Sequence, residues 1–245
     1  MSKIFNPADA VKGFQRVLIL VMLSISAAAI AMERRIEMSC PLGGRDARGV
    51  EILGNYTSDV GLDGRRYGHH VQPNPPPECP DNGFLVYKKS FSDRELSHLK
   101  QYIFSPAYQR MWHRAPAFYR LAKIHEYEKK PILDYVYFYM LATWEVSWGG
   151  GRYRHYALEA IEAFKTAIDQ MRPYPEVYGR RFVEYHYLLA ELYRRVGEFG
   201  NARRQLDWVK QTDLDTDFIH PSFIDYLDDL IAQRDSDEHR MSEAE

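Results

Sequence analysis

From Asp93 to about Ala232, apolar residues recur at three- and four-residue spacing, the pattern of amphipathic helices. Prolines cut that run at Ser105-Pro106, Ala115-Pro116, Lys130-Pro131, Pro173, Pro175 and His220-Pro221. Inside a helix a proline removes a hydrogen bond and clashes with the preceding turn, so each of these positions marks a boundary. The region can therefore form neither one long rod nor a sheet. It must fold as about seven short helices packed on one another. Ser92-Asp93-Arg94-Glu95 has the form of a capping box and sets the first helix start at Asp93. The fold class read from this pattern is mostly α.

Two helical pairs share a texture. Leu189-Ala190-Glu191-Leu192-Tyr193 leads through Gly197-Glu198-Phe199 to Ala202, Leu206 and Val209. A glycine that ends the first helix, and small residues that let two helices approach closely, are tetratricopeptide chemistry. A looser copy runs from Leu141-Ala142 to Ala160, Phe164 and Ala167. Aligning Ala160 with Ala202 gives a repeat of 42 residues, lengthened by the insertion around Pro173-Tyr174-Pro175. The expected architecture is a tetratricopeptide-like helical array over residues 92–232.

Upstream the texture differs. Met32 to Val71 is glycine-rich, with short β-leaning pieces such as Val50-Glu51-Ile52-Leu53 and no helical period. Gln72-Pro73-Asn74-Pro75-Pro76-Pro77 reads as an extended connector. Gly83-Phe84-Leu85-Val86-Tyr87 reads as a short strand. Residues 32–91 thus form a small β/loop head, with the connector at 72–77.

The first 31 residues read as a secretory signal peptide. Lys3, Lys12 and Arg16 precede an uncharged run from Val17 to Met32, and Ala29-Ile30-Ala31 is a small-x-small cleavage pattern. As a helix the run reaches about 24 Å, short of a bilayer core of about 30 Å. An uncleaved anchor or a buried N-terminal helix are the alternatives; an anchor would be the chain's one contact with a membrane and would still leave the body outside. The expected address is periplasmic or extracellular. Cys40 is no lipoprotein cysteine, since Glu37-Met38-Ser39 precedes it. Asn55-Tyr56-Thr57 is a formal glycosylation sequon.

Charge narrows the function classes. The formal net charge is -2, which excludes a generally basic nucleic-acid binder. Eleven acids face only Arg234 and Arg240 beyond Thr212, so residues 233–245 read as an acidic, disordered tail. The pairs Arg180-Arg181, Arg194-Arg195 and Arg203-Arg204 lie near tyrosines, a combination able to grip phosphate and stack on bases. Export removes the usual nucleic acids, so no nucleic-acid partner is expected.

Catalytic signatures are incomplete. His125-Glu126 opens a zincin-like motif, but Lys129 stands where the second histidine belongs. There is no Gly-x-Ser-x-Gly elbow, and Gly149-Gly150-Gly151 lacks the lysine of a phosphate loop. Asp213-Leu214-Asp215-Thr216-Asp217 opens like a calcium loop, yet Phe218 and Ile224 occupy the positions that need glycine and glutamate. No catalytic residue and no cofactor is assigned.

Cys40-Pro41-Leu42-Gly43-Gly44 and Cys79-Pro80-Asp81-Asn82-Gly83-Phe84 have the shape of paired zinc knuckles, each lacking its second cysteine. Ala117-Phe118-Tyr119-Arg120-Leu121-Ala122, Ala142-Thr143-Trp144 and the run from Leu189 to Phe199 follow in order. The series resembles the bacterial domain-of-unknown-function family 2225, which combines a zinc-ribbon-like head with tetratricopeptide-like helices. The resemblance spans approximately Cys40 to Lys210 and implies a fold rather than an activity. It implies that the first cysteines of both knuckles are neighbours, so that in an oxidising compartment Cys40 and Cys79 form a disulfide. The alternative is a metal-binding head, with Cys40, His69, His70 and Cys79 as ligands.

What remains is an interaction module. Helical arrays bind protein or peptide in a groove lined by the first helix of each pair. With Ala190 facing the partner helix, spacing nominates Glu184, Tyr187, Glu191 and Arg194 as groove residues. The expected function is a protein- or peptide-binding module of the cell envelope. An envelope enzyme whose site is assembled only in three dimensions is the alternative.

Overall fold

The computed structural model describes residues 33–54, 56–70, 72–147 and 151–243. The apolar run before Glu33, the sequon asparagine and Gly149-Gly150 lie outside the described residues. Within them, 55% of the chain is helical. β1 (Glu33–Met38) pairs antiparallel with β2 (Ala47–Ile52), Glu33 opposite Ile52 and Met38 opposite Ala47. β3 (Thr57–Val60) and β4 (Arg66–Gly68) form a second hairpin with a bulge between Thr57 and Asp59. The expected strand at residues 83–87 is reduced to one bridge, Leu85 with Glu78, because Gly83 turns the chain at positive φ.

Nine helices follow among the described residues: α1 (Asp93–Ile103), α2 (Pro106–Trp112), α3 (Ala117–Tyr127), α4 (Val136–Val146), α5 (Arg152–Met171), α6 (Pro175–Tyr178), α7 (Arg180–Arg195), α8 (Phe199–Gln211) and α9 (Pro221–Gln233). The capping box forms as read: Ser92 accepts from the Glu95 amide, and Glu95 accepts from the Ser92 amide. Pro106 and Pro221 open α2 and α9, where the missing amide loses no bond. None of these helices is long and apolar enough to cross a membrane.

The core is built in chain order, with α4 on α5, α5 on α7, α7 on α8, and α9 closing against α8 and α7. Ala160, Ala167, Ala190 and Ala202 are wholly buried in it, and Phe164 meets Tyr185 edge-on. The head has no core of its own. Cys40, Leu42, Cys79 and Phe84 bury themselves against Leu99, Ile103, Tyr108 and Ile124 of α1, α2 and α3. A turn follows each cysteine: the Gly43 amide, three residues on, donates to the Cys40 carbonyl, and the Gly83 amide, four residues on, donates to the Cys79 carbonyl, both at 2.9 Å. The sulfurs are bonded, with Cα atoms 5.6 Å apart.

Residues 235–243 correct the expectation of a disordered tail. They run back over β3–β4, where Arg240 bridges Gly61 and the Leu62 amide donates to the His239 carbonyl. Their acids are not a solvated charge run, because Asp235 and Glu238 meet arginines of the body.

Candidate functional site

An open cleft of about 1140 Å³ separates the head from the helices. One wall is the β1–β2 hairpin with the proline connector; the other is apolar, formed by Tyr87, Phe118, Leu121, Phe138 and Leu141. Five of the six β1 residues line it. The two edges of the hairpin differ. β2 is covered by the connector, since Arg48 bridges Glu78, Asn74 donates to the Val50 carbonyl and Pro77 lies against Gly49. The outer edge of β1 has no backbone partner among the described residues. A strand edge in this state presents a row of unpaired amides and carbonyls.

The apolar wall is held from behind. The Glu145 carboxylate on α4 accepts from the Ala117 and Phe118 amides at 2.7 and 2.8 Å, capping α3 and fixing Phe118. Burial raises the Glu145 carboxyl above its ordinary range, partly countered by those two amides. Arg120 ties α3 to the head, donating to the Gly83 carbonyl at 2.8 Å and pairing with Glu78 at 2.5 Å. Trp112 donates to the other oxygen of Glu78.

Among the described residues, charged and imidazole side chains enter the cleft from the head side. His70 Nδ1 lies 2.6 Å from Glu33, and its buried Nε2 has no hydrogen-bond partner among the described residues. His69 is exposed beside Tyr56. The metal-binding alternative is therefore corrected. Both sulfurs are consumed in the disulfide, His70 is engaged by Glu33, and no cluster of three or more ligating side chains occurs among the described residues.

The nominated groove residues lie elsewhere, and they do not line an open surface. Glu184 is half-buried, and burial raises its carboxyl above the ordinary range. Tyr187, Glu191 and Arg194 are buried, Glu191 and Arg194 at 1% and 0% exposure. The face of α7 that helical spacing left open is covered by the β3–β4 turn and residues 235–243. Arg194 donates twice to Glu191 at 2.8 Å and to the carbonyls of Asp235 and Asp237 at 2.8 and 2.9 Å. Asp63, from the β3–β4 turn, is buried near Glu191, Arg195 and Glu238, and burial pushes its carboxyl up to about 6.

The basic pairs are partnered rather than arrayed. Arg180 meets Asp215, Arg181 donates to the Leu133 carbonyl, and Arg203 meets Asp228. Sequence reasoning missed the cleft because its walls come from residues far apart in the chain. Local signals pick out several of its lining residues, among them the Gln72–Pro77 connector, Phe118 and Leu121 of the Ala117–Ala122 run, and Leu141, but not that they meet.

Comparison with protein-family models, with curated proteins and with solved structures finds no match for this chain.

Proposed function

We propose that this chain is a protein- or peptide-binding module of the cell envelope, exported by its N-terminal segment, and that it takes an extended peptide into the cleft along β1. The free edge of β1 beside an apolar wall carries this reading. An added strand would satisfy the β1 backbone, while its alternate side chains would enter the wall formed by Phe118, Phe138 and Leu141. The order of helix packing, with small residues in the core, supports a tetratricopeptide-like array, and the paired cysteine turns support a degenerate zinc-ribbon-like head resembling family 2225. A disulfide fits an oxidising compartment and so supports export.

Selection of peptides from a random display library on the intact protein tests the reading. Recovered peptides should share alternating apolar residues and lose at least tenfold in affinity on Leu141→Asp. Binding indifferent to that change, or no enrichment, would remove the cleft from consideration.

The enzyme alternative has one observation in its favour, the Glu33–His70 pair in the same cleft. It supplies a base and an orienting carboxylate. No hydroxyl or thiol among the described residues is hydrogen-bonded to His70, so the nucleophile of such a trio is missing.

A further inference from the structure

The face of α7 nominated as a groove holds a peptide already, and that peptide is the chain's own C-terminal segment. Its floor is rigid: Glu191 grips Arg194 through two hydrogen bonds, and both side chains are buried. Two carbonyls of the segment rest on Arg194. The carboxylate of Glu238 lies 3.5 Å from Arg195 and 3.9 Å from Arg65, and accepts from the Tyr67 hydroxyl. Beyond it, Arg240 covers the Tyr67 ring and Ser242 donates to Asp59.

The segment itself is held differently. No side chain from Asp235 to Glu243 is fully buried, and only Met241 packs on the edge of the core. Its own side chains are polar and partly exposed, so it buries little apolar surface and opens locally at lower cost than the floor beneath, which belongs to the centre of the fold. A carboxylate between two arginines, on a backbone pinned by a third, is recognition of an acidic extended peptide.

We infer that Arg65, Tyr67, Arg194 and Arg195 form an acidic-peptide site in which residues 235–243 act as a tethered, displaceable ligand, and that its partner is an extended acidic segment of another protein. The site is separate from the β1 cleft and stands whether or not that cleft binds peptide. Tethering places the segment at a high effective concentration, so the intact protein binds a competitor weakly until its own segment is loosened.

The probe is a fluorescent synthetic peptide of residues 235–245, titrated against the full chain and against the full-length Glu238→Lys variant. Lysine at that position sets a cation against Arg65 and Arg195 and should release the segment. The variant should bind the peptide at least tenfold more tightly than the parent, and the affinity should fall several-fold between 50 and 500 mM salt, as charge pairing requires. A peptide with every Asp and Glu amidated should not bind. Equal binding of the amidated peptide, or no binding by a folded variant, overturns the inference. A concentration-dependent dimer exchanging this segment assigns the site to a second copy instead, and equally overturns a foreign partner. Should the variant fail to fold, hydrogen exchange on the parent chain decides. The Leu62 amide, which donates to His239, should exchange at least a hundredfold faster than the central amides of α7; equal protection means that the segment does not come off.

Discussion

Arg194 donates from Nη1 to the carbonyl oxygen of Asp235, 2.8 Å away, across 41 residues of chain. A guanidinium with no exposed surface is thereby satisfied on one side by Glu191 and on the other by main-chain carbonyls. The arrangement closes α7, α9 and the β3–β4 hairpin into one unit. It also explains why a helix with charged residues at regular spacing is buried on almost every side.

Removing one member of this pair strands the other. Arg194→Met leaves the Glu191 carboxylate buried and unpaired, and should lower unfolding free energy by about 3–5 kcal/mol. The double variant Glu191→Leu/Arg194→Met should recover most of that loss, though not the part due to the two carbonyls. Urea unfolding followed by circular dichroism measures both. A double variant no more stable than the single one would mean that the carbonyl contacts, not the stranded charge, dominate.

Gly83 is fixed by two constraints. Its φ is +72°, and a Cβ there would stand 2.3 Å from the Trp112 ring, which is held in place by its bond to Glu78. Gly83→Ala should therefore cost about 3 kcal/mol or more, combining backbone strain with an overpacked contact. Gly43, at φ +87°, has open space around its Cβ position, so Gly43→Ala should cost only the strain, about 1 kcal/mol. Thermal melts of the two variants should separate by several degrees, with Gly83→Ala the lower.

The disulfide closes a loop spanning 39 positions. The chain-entropy model assigns such a closure about 4 kcal/mol. The head shares its core with α1–α3, so Cys40→Ser/Cys79→Ser should keep its helices and lose about 2–4 kcal/mol. Loss of all helical signal would mean instead that the head nucleates the fold.

Local rules carried far into this fold, and failed where distant segments meet. Pro106, Pro221 and the Ser92–Glu95 box mark helix starts because capping and proline geometry act within one turn. The Cys40–Cys79 bond is not local in this sense: the resemblance of the two cysteine segments to paired zinc knuckles implies it, and the structure contains it. The groove nominated on α7 failed for a non-local reason. Helical spacing identifies the face turned away from the partner helix, but cannot see that residues 57–68 and 235–243 return to cover it. Nor does acidity alone reveal that Glu238 has arginines waiting. The cleft wall was invisible for the same reason, since Phe118 and Phe138 look like ordinary core positions until β1 is set opposite them.

Two buried groups titrate in the same window with opposite consequences. Asp63 is pushed up to about 6 from an ordinary 3.8, by burial first and by Glu191 and Glu238, against Arg195 and the Arg65 amide. The folded state therefore holds its proton more tightly than the unfolded chain. The stability this adds is fully present below about pH 4 and is lost as pH rises through 6. His186 stacks on Trp208 with ring centroids 3.7 Å apart, and burial lowers it to about 4 from 6.5. Its contribution is present above pH 6.5 and is lost as pH falls through 4. Each shift corresponds to about 3 kcal/mol, so between pH 4 and 6.5 the two slopes nearly cancel in the parent protein. Asp63→Asn keeps the oxygen that accepts from the Arg65 amide at 3.0 Å while abolishing the charge. It should raise stability by about 1–3 kcal/mol at pH 7.5 and change it little at pH 3.5. It should also unmask the histidine, so that melting temperature climbs steadily from pH 4 to 6.5. Calorimetry across that range checks the sign; a variant less stable than the parent at pH 7.5 would show that Arg195 needs the Asp63 charge more than burial opposes it.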